Sequence, residues 1–226
     1  MDLNPYIVNI FVERILAWHK TNSRDYPWRR TRDPYHILIS ELMLRRTRAD
    51  QVVPVYHAFL KQYPDSQTLS GGRPATIRQI LKPLGLSWRA ENFVKVSREL
   101  IQFFDGRIPS DEKALQQLTG VGDYVAGAVS CFAFEKPVPM IDTNIVRVIG
   151  RIFGLDLRGE ARRRKEVRDA AVTCLERAQP REYHYALLDF GALVCTARNP
   201  KCEACPIGRE HCRHGRASNQ HCDGPV

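Results

Sequence analysis

Apolar positions recur along this chain at helical rather than strand spacing. After Pro5, the residues Ile7, Phe11, Ile15 and Trp18 follow one another three or four positions apart, which is the stripe of an amphipathic helix. A second stripe runs through Trp88, Phe93, Val96, Leu100 and Phe103 or Phe104, and Asp105-Gly106 closes it. The same periodicity places helices at about 34–48, 50–62, 74–83, 111–118, 123–134, 143–153, 161–178 and 182–194, joined by short Pro/Gly turns. No convincing strand ladder interrupts them, so the expected class is all-α. Residues 63–74, with Pro64, Gly71 and Gly72, read as the most obvious loop. With no Gly/Ser linker, low-complexity tract or internal repeat, any second domain must share a tight boundary with the first.

Composition narrows the class without changing that picture. A chain of 226 residues, 43% hydrophobic, makes one large or two small domains with a proper core. The N-terminus carries no basic n-region, and the longest nearly apolar run, Tyr124 to Phe134, is too short to span a bilayer. The expected protein is soluble and not secreted, cytoplasmic or nuclear, with no membrane partner. A net charge of +9 favours a polyanion, with nucleic acid first among candidates. Arginines at 24, 29, 30, 32, 45, 46 and 48 form one basic cluster. Residues 158–168, with Arg162-Arg-Arg-Lys165, form another that reads as a solvated helix face. The first carries more weight, because the planar arginine fork suits phosphate.

Three motifs carry candidate chemistry. Gly120-Val-Gly122 permits a tight turn at positive φ just before the run Asp123 to Phe134 and leaves backbone N–H groups uncovered. A phosphate fits there, although an ordinary interhelical turn has the same signature. Asp142, in Ile141-Asp-Thr-Asn144, stands where the next helix should begin. Cys195, Cys202, Cys205 and Cys212 place four thiols in a short loop fixed by Pro200 and Pro206, which without a secretory signal favours metal over disulfides. Spacing alone leaves tetrahedral zinc and a 4Fe-4S cluster both open. Cys131 and Cys174 lie in apolar helical contexts as buried free thiols, and Cys222 falls in a polar tail expected to be disordered.

In combination, these motifs resemble the helix-hairpin-helix DNA glycosylases with an iron–sulfur cluster, the superfamily of endonuclease III and adenine glycosylase, over nearly the whole chain. The segments Asp25-Tyr-Pro-Trp-Arg-Arg-Thr-Arg-Asp-Pro-Tyr35 and Ser40-Glu-Leu-Met-Leu-Arg-Arg-Thr47 are most similar to thymine-DNA mismatch glycosylases of archaeal type. One departure is the last cysteine interval, six residues where the family usually has five. The resemblance implies two helical domains with the active site in the cleft between them. Residues 29–135 would form a six-helix domain with the hairpin, and 1–28 with 136–226 a domain holding a 4Fe-4S cluster, zinc being the alternative.

The resemblance also assigns roles. Asp142 is the catalytic carboxylate that stabilises oxocarbenium character or orients water, against the alternative of a simple helix cap; Asn144 in the same motif is a DNA contact. Tyr124 stands where strand-cleaving relatives carry a Schiff-base lysine, so the enzyme is expected to be monofunctional, with the phenol lining the flipped base; an ordinary packed tyrosine is the alternative. Glu41 matches the acid that protonates adenine in adenine glycosylases and would contact the edge of a pyrimidine, unless it is a surface glutamate paired with Arg45. Arg45 and Arg46 reach the orphan guanine or a phosphate, Gly120 and Gly122 grip the backbone, and Leu86 is an apolar wedge or a buried core residue.

The expected activity is hydrolytic removal of thymine or uracil from G·T and G·U mismatches in duplex DNA by a monomer. Adenine removal opposite 8-oxoguanine is the enzyme alternative; against it stand Tyr124, the Arg-Arg pair and a chain that ends soon after Cys212, without the further domain adenine glycosylases use. A catalytically silent duplex-binding module is the alternative from another class.

Overall fold

The computed structural model describes residues 3–219, and among them every regular element is helical. In chain order the α-helices are α1 (Pro5–Asn22), α2 (Pro34–Leu44), α3 (Ala49–Gln62), α4 (Ser66–Ser70), α5 (Pro74–Leu81) and α6 (Ala90–Phe104). They continue with α7 (Glu112–Gln116), α8 (Asp123–Phe134), α9 (Thr143–Phe153), α10 (Lys165–Leu175), α11 (Pro180–Leu193) and α12 (Arg213–Asn219). Cys222 lies outside the described residues. No helix among the described residues is long and apolar enough to cross a membrane.

The chain divides into two compact units, residues 25–136 and residues 1–24 with 137–226. The first unit starts at Asp25 rather than at residue 29, because Trp28, only 3% exposed, stacks on Tyr26 and meets Tyr56 of α3 edge-on. In this unit α2 packs on α3 and α8, while α5 and α4 pack on α6. Residues Val125 to Phe132 of α8 are all buried, so this helix is core on every side. The stretch expected as a loop contains the extra turn α4, started by a capping box in which Asp65 and Thr68 satisfy each other's backbone N–H groups.

In the other unit α11 packs against α1 and α9, and α9 also meets α10 and α12. Ile145, Val148, Ile149 and Ile152 form the buried stripe of α9, each contributing about 1.5–3 kcal/mol of gross burial. Gly191 of α11 marks the closest approach: a Cβ there would lie 3.2 Å from Asn144 Cβ. Toward the C-terminal end of α11, Asp189 is wholly buried and accepts from Arg24 Nε at 2.6 Å while facing His19 Nε2 at 3.2 Å, which ties both early segments of the chain to this helix. Cys131 and Cys174 are buried, as their apolar contexts imply.

Candidate active site and metal centre

In the unit of residues 25–136, the hairpin lies between α7 and α8. Leu118 and Val121 are 2% and 5% exposed and pin the turn, whose Val121 N–H donates to Leu118 O at 3.1 Å. Gly120 takes φ +82, the left-handed region that disfavours a side chain. Gly122 does not use that freedom: with φ −96 and ψ −178 it is extended, and it is the N-cap of α8 with no side-chain hydrogen bond to the helix. A Cβ on Gly122 would meet nothing within 4 Å. The first amides of α8 are thus left open beside an exposed glycine, the arrangement that receives an anion. Glu99 of α6 braces the turn, accepting from Thr119 N at 2.6 Å and Thr119 Oγ1 at 2.7 Å. Nothing in the local sequence pointed to Glu99.

The end of α2 lies beside this turn. The helix stops at Leu44 rather than running to residue 48: Arg45 is extended, and Arg46 has φ +64, an uncommon conformation for a non-glycine residue. Arg45 Nη1 donates to Gly120 O at 2.9 Å, joining the turn to the hairpin. Glu41 is 4% exposed on α2 and so is not a surface glutamate. Because α2 packs against α8, Glu41 and Tyr124 stand on adjoining helices.

Leu86 lies in the same unit. Expected as a wedge or a buried core residue, it is 5% exposed, whereas Trp88 two residues later is 67% exposed. The guanidinium of Arg89 lies 4.6 Å from the Trp88 ring centroid. Arg89 itself is buried, with Nη1 at 3.4 Å from both Leu42 O and Arg45 O at the end of α2. Burial and the nearby charges of Arg45 and Arg46 hold its pKa below the usual arginine value. None of these three arginines has a carboxylate within ion-pair reach among the described residues.

In the other unit Asp142 is the N-cap of α9, as its place before a helix predicts. Its Oδ1 accepts from Ile145 N at 2.7 Å, and its Oδ2 accepts from Asn144 Nδ2 at 2.8 Å. Asn144 Oδ1 in turn accepts from Arg147 Nη2 at 2.9 Å, and Arg147 reaches Gly191 O at 2.8 Å and Cys195 O at 2.9 Å. Gly191 permits this, having no side chain to hold Arg147 away. A continuous chain of hydrogen bonds thus runs from the Asp142 carboxylate to the first residue of the cysteine loop. Asn144 was expected to touch DNA; here its amide is engaged by Asp142 and Arg147. Arg147 went unnoticed in the sequence, because its partners lie 44 and 48 residues away.

Cys195, Cys202, Cys205 and Cys212 all line one pocket, together with Arg151 and His214. Donors face the sulfurs: Gly215 N lies 3.4 Å from Cys212 Sγ and Arg151 Nη1 3.5 Å from Cys195 Sγ. Burial pushes the Cys205 thiol up to about 11, and the amides of Ile207 and Gly208 pull the other way. A lone thiolate is disfavoured there, whereas a cationic centre shared by four sulfurs compensates the burial. Among the described residues no three His, Cys, Asp or Glu side chains converge closely enough to grip one ion. The longer last interval still returns Cys212 to the same pocket as the other three thiols.

Comparison with known proteins agrees with this geometry. Residues 39–172 match the family described as HhH-GPD superfamily base excision DNA repair protein, and residues 195–208 match the iron–sulfur binding domain of endonuclease III. The match supports an iron–sulfur cluster as the cofactor. A thymine/uracil-DNA glycosylase from Methanothermobacter thermautotrophicus is 39% identical over 88% of this chain and 91% of its own length. One from Pyrobaculum aerophilum is 38% identical over 93% and 95%. An adenine DNA glycosylase from Mycolicibacterium smegmatis is 34% identical over 88% of this chain and 67% of that protein. The solved structure of a thermostable thymine-DNA glycosylase superposes with a TM-score of 0.87 at 37% identity, covering 96% of this chain and 100% of that one.

Proposed function

Because this chain belongs to the HhH-GPD superfamily of base excision DNA repair proteins and is a DNA N-glycosylase, we propose that its substrate is thymine or uracil opposite guanine in duplex DNA. The observation that carries this reading is the 38–39% identity to thymine/uracil-DNA glycosylases over 88–93% of the chain. Tyr124 supports it.

In the proposed reaction the mismatched nucleotide is extruded, and the bond between sugar and base breaks as the pyrimidine leaves with the electron pair. Positive charge develops on the sugar. Asp142, which accepts from the Ile145 amide and the Asn144 side chain, stabilises that charge or aligns the attacking water. Glu41 and Tyr124 meet the base; a phenol forms no Schiff base, so the product is an intact strand with an abasic site. The amides at the start of α8 and the groups of Arg45 and Arg46 hold the backbone or the orphan guanine. Trp88, not Leu86, supplies the apolar surface that fills the opened stack. The four cysteines would hold the cluster, whose part is to fix the loop that Arg147 joins to Asp142.

A panel of duplexes with G·T, G·U, A·8-oxoguanine and matched pairs tests this, scored for released base before and after alkali. Thymine or uracil release, with strand breaks only after alkali, is expected. Asp142→Asn keeps a good helix cap and lowers the rate by roughly 100–1,000-fold. Adenine release alone transfers the substrate to the A·8-oxoguanine reading, and breaks without alkali overturn the monofunctional one.

A further inference from the structure

Residues 137–141 connect α8 to Asp142 without helix or strand. Pro137 and Pro139 have no N–H to donate, and among the described residues the segment makes a single hydrogen bond. That bond runs from the Met140 amide to Nε2 of His184, at 3.1 Å. His184 lies on α11, 2% exposed, and its Nδ1 is 2.7 Å from Pro180 O one turn earlier.

These contacts determine the tautomer. A carbonyl oxygen only accepts, so Nδ1 carries the proton, and the Met140 amide only donates, so Nε2 presents its lone pair. The ring is neutral in this arrangement. Burial pushes His184 down to about 4, which keeps it neutral around pH 7. A histidine that merely filled the core would need no donor from the segment leading to the carboxylate. Met140 is itself 1% exposed, and it stands two residues before Asp142.

We propose that His184 is a positioning residue for bond cleavage: as a neutral acceptor it fixes the Met140 backbone and thereby the reach of the Asp142 carboxylate. The inference rests on Asp142 being the acting carboxylate. Its effect belongs to the chemical step. Displacing a reacting group by about 1 Å costs on the order of 100-fold in rate, while DNA contacts elsewhere in the chain are untouched.

His184→Gln places an amide oxygen within reach of the Met140 N–H, whereas His184→Leu leaves that N–H buried without an acceptor. Holoprotein of both variants is compared with wild type for single-turnover base release, mismatch-duplex affinity, visible cluster absorbance and hydrogen exchange at the Met140 amide. His184→Leu is expected to release base at least ~10-fold more slowly, with affinity and absorbance retained and the Met140 amide exposed to exchange. His184→Gln stays within ~3-fold of wild type. A leucine variant of full rate whose Met140 amide exchanges freely overturns the proposal. Parallel loss of rate, affinity and absorbance in both variants reduces His184 to a core residue and also overturns it. Wild-type protein that releases no base defeats the enzymatic reading itself, a result distinct from an active wild type indifferent to His184.

Discussion

At the residue scale, the acidic candidate was legible and its supports were not. Asp142 announces itself because a helix cap is a local feature: an Asp before an amphipathic run is visible in a few consecutive letters. His184, Arg147 and Glu99 act through backbone groups 44, 48 and 20 residues away, and no short-range pattern encodes such contacts. The exposure of Trp88 beside buried Leu86 was equally hidden, since both are apolar and only packing decides which one the loop keeps. The buried histidine has a measurable consequence for stability. Its folded pKa, about 4, lies below the ordinary value of 6.5, so the unfolded chain takes up a proton first as pH falls. The stability held above pH 6.5 drains away between 6.5 and 4, by as much as about 3 kcal/mol. Urea unfolding of wild type and His184→Gln at pH 7 and pH 4.5 checks this. The wild type should lose more than the variant, and equal losses would remove His184 as the cause.

At the element scale, periodicity located the long helices because each buries a single stripe, as α9 does through Ile145, Val148, Ile149 and Ile152. It missed α4, a single turn held by Asp65 and Thr68, and it ran α2 past its end. The letters around Arg45 contain no Gly or Pro to stop a helix; what stops it is tertiary, with Arg89 taking the last carbonyls and Arg45 reaching Gly120. The hairpin glycines, read from sequence as one signal, separate into two. Gly120 is needed for its positive φ, so Gly120→Ala should destabilise by about 1–2 kcal/mol. Gly122 is extended with open space around it, so Gly122→Ala should leave thermal stability unchanged or slightly raised. Its methyl group would nonetheless crowd a phosphate at the first amides of α8. A several-fold weaker duplex affinity at unchanged melting temperature is the expected outcome by titration and calorimetry. Wild-type affinity in Gly122→Ala would show that DNA does not use those amides.

At the scale of the whole molecule, the charge of +9 is distributed less evenly than the two arginine clusters suggest. In the cluster at 158–168, Arg158 and Arg164 pair with Asp156, Arg163 with Glu160 and Lys165 with Asp169. Much of that positive charge is answered locally and, being exposed, adds little to stability. Members of the first cluster are also answered: Arg24 by Asp189, Arg30 by Asp25 and Arg32 by Glu135. Among the described residues Arg45, Arg46 and Arg89 remain without a carboxylate, gathered at the end of α2 beside the hairpin. Leaving three guanidinium groups together is unfavourable in the free protein, and a polyanion relieves it. Counterion release makes the idea quantitative, because each phosphate neutralised contributes about 0.9 to the slope of log affinity against log salt. Arg46→Ala should therefore lower the magnitude of that slope by about 1 on mismatched and matched duplexes alike if Arg46 contacts a phosphate. Arg163→Ala and Arg164→Ala, which remove arginines already paired, should leave it unchanged. The mismatch offers an internal control on the other role open to Arg46. A loss confined to duplexes with an orphan guanine, at constant salt slope, would assign this arginine to the base edge instead of the backbone.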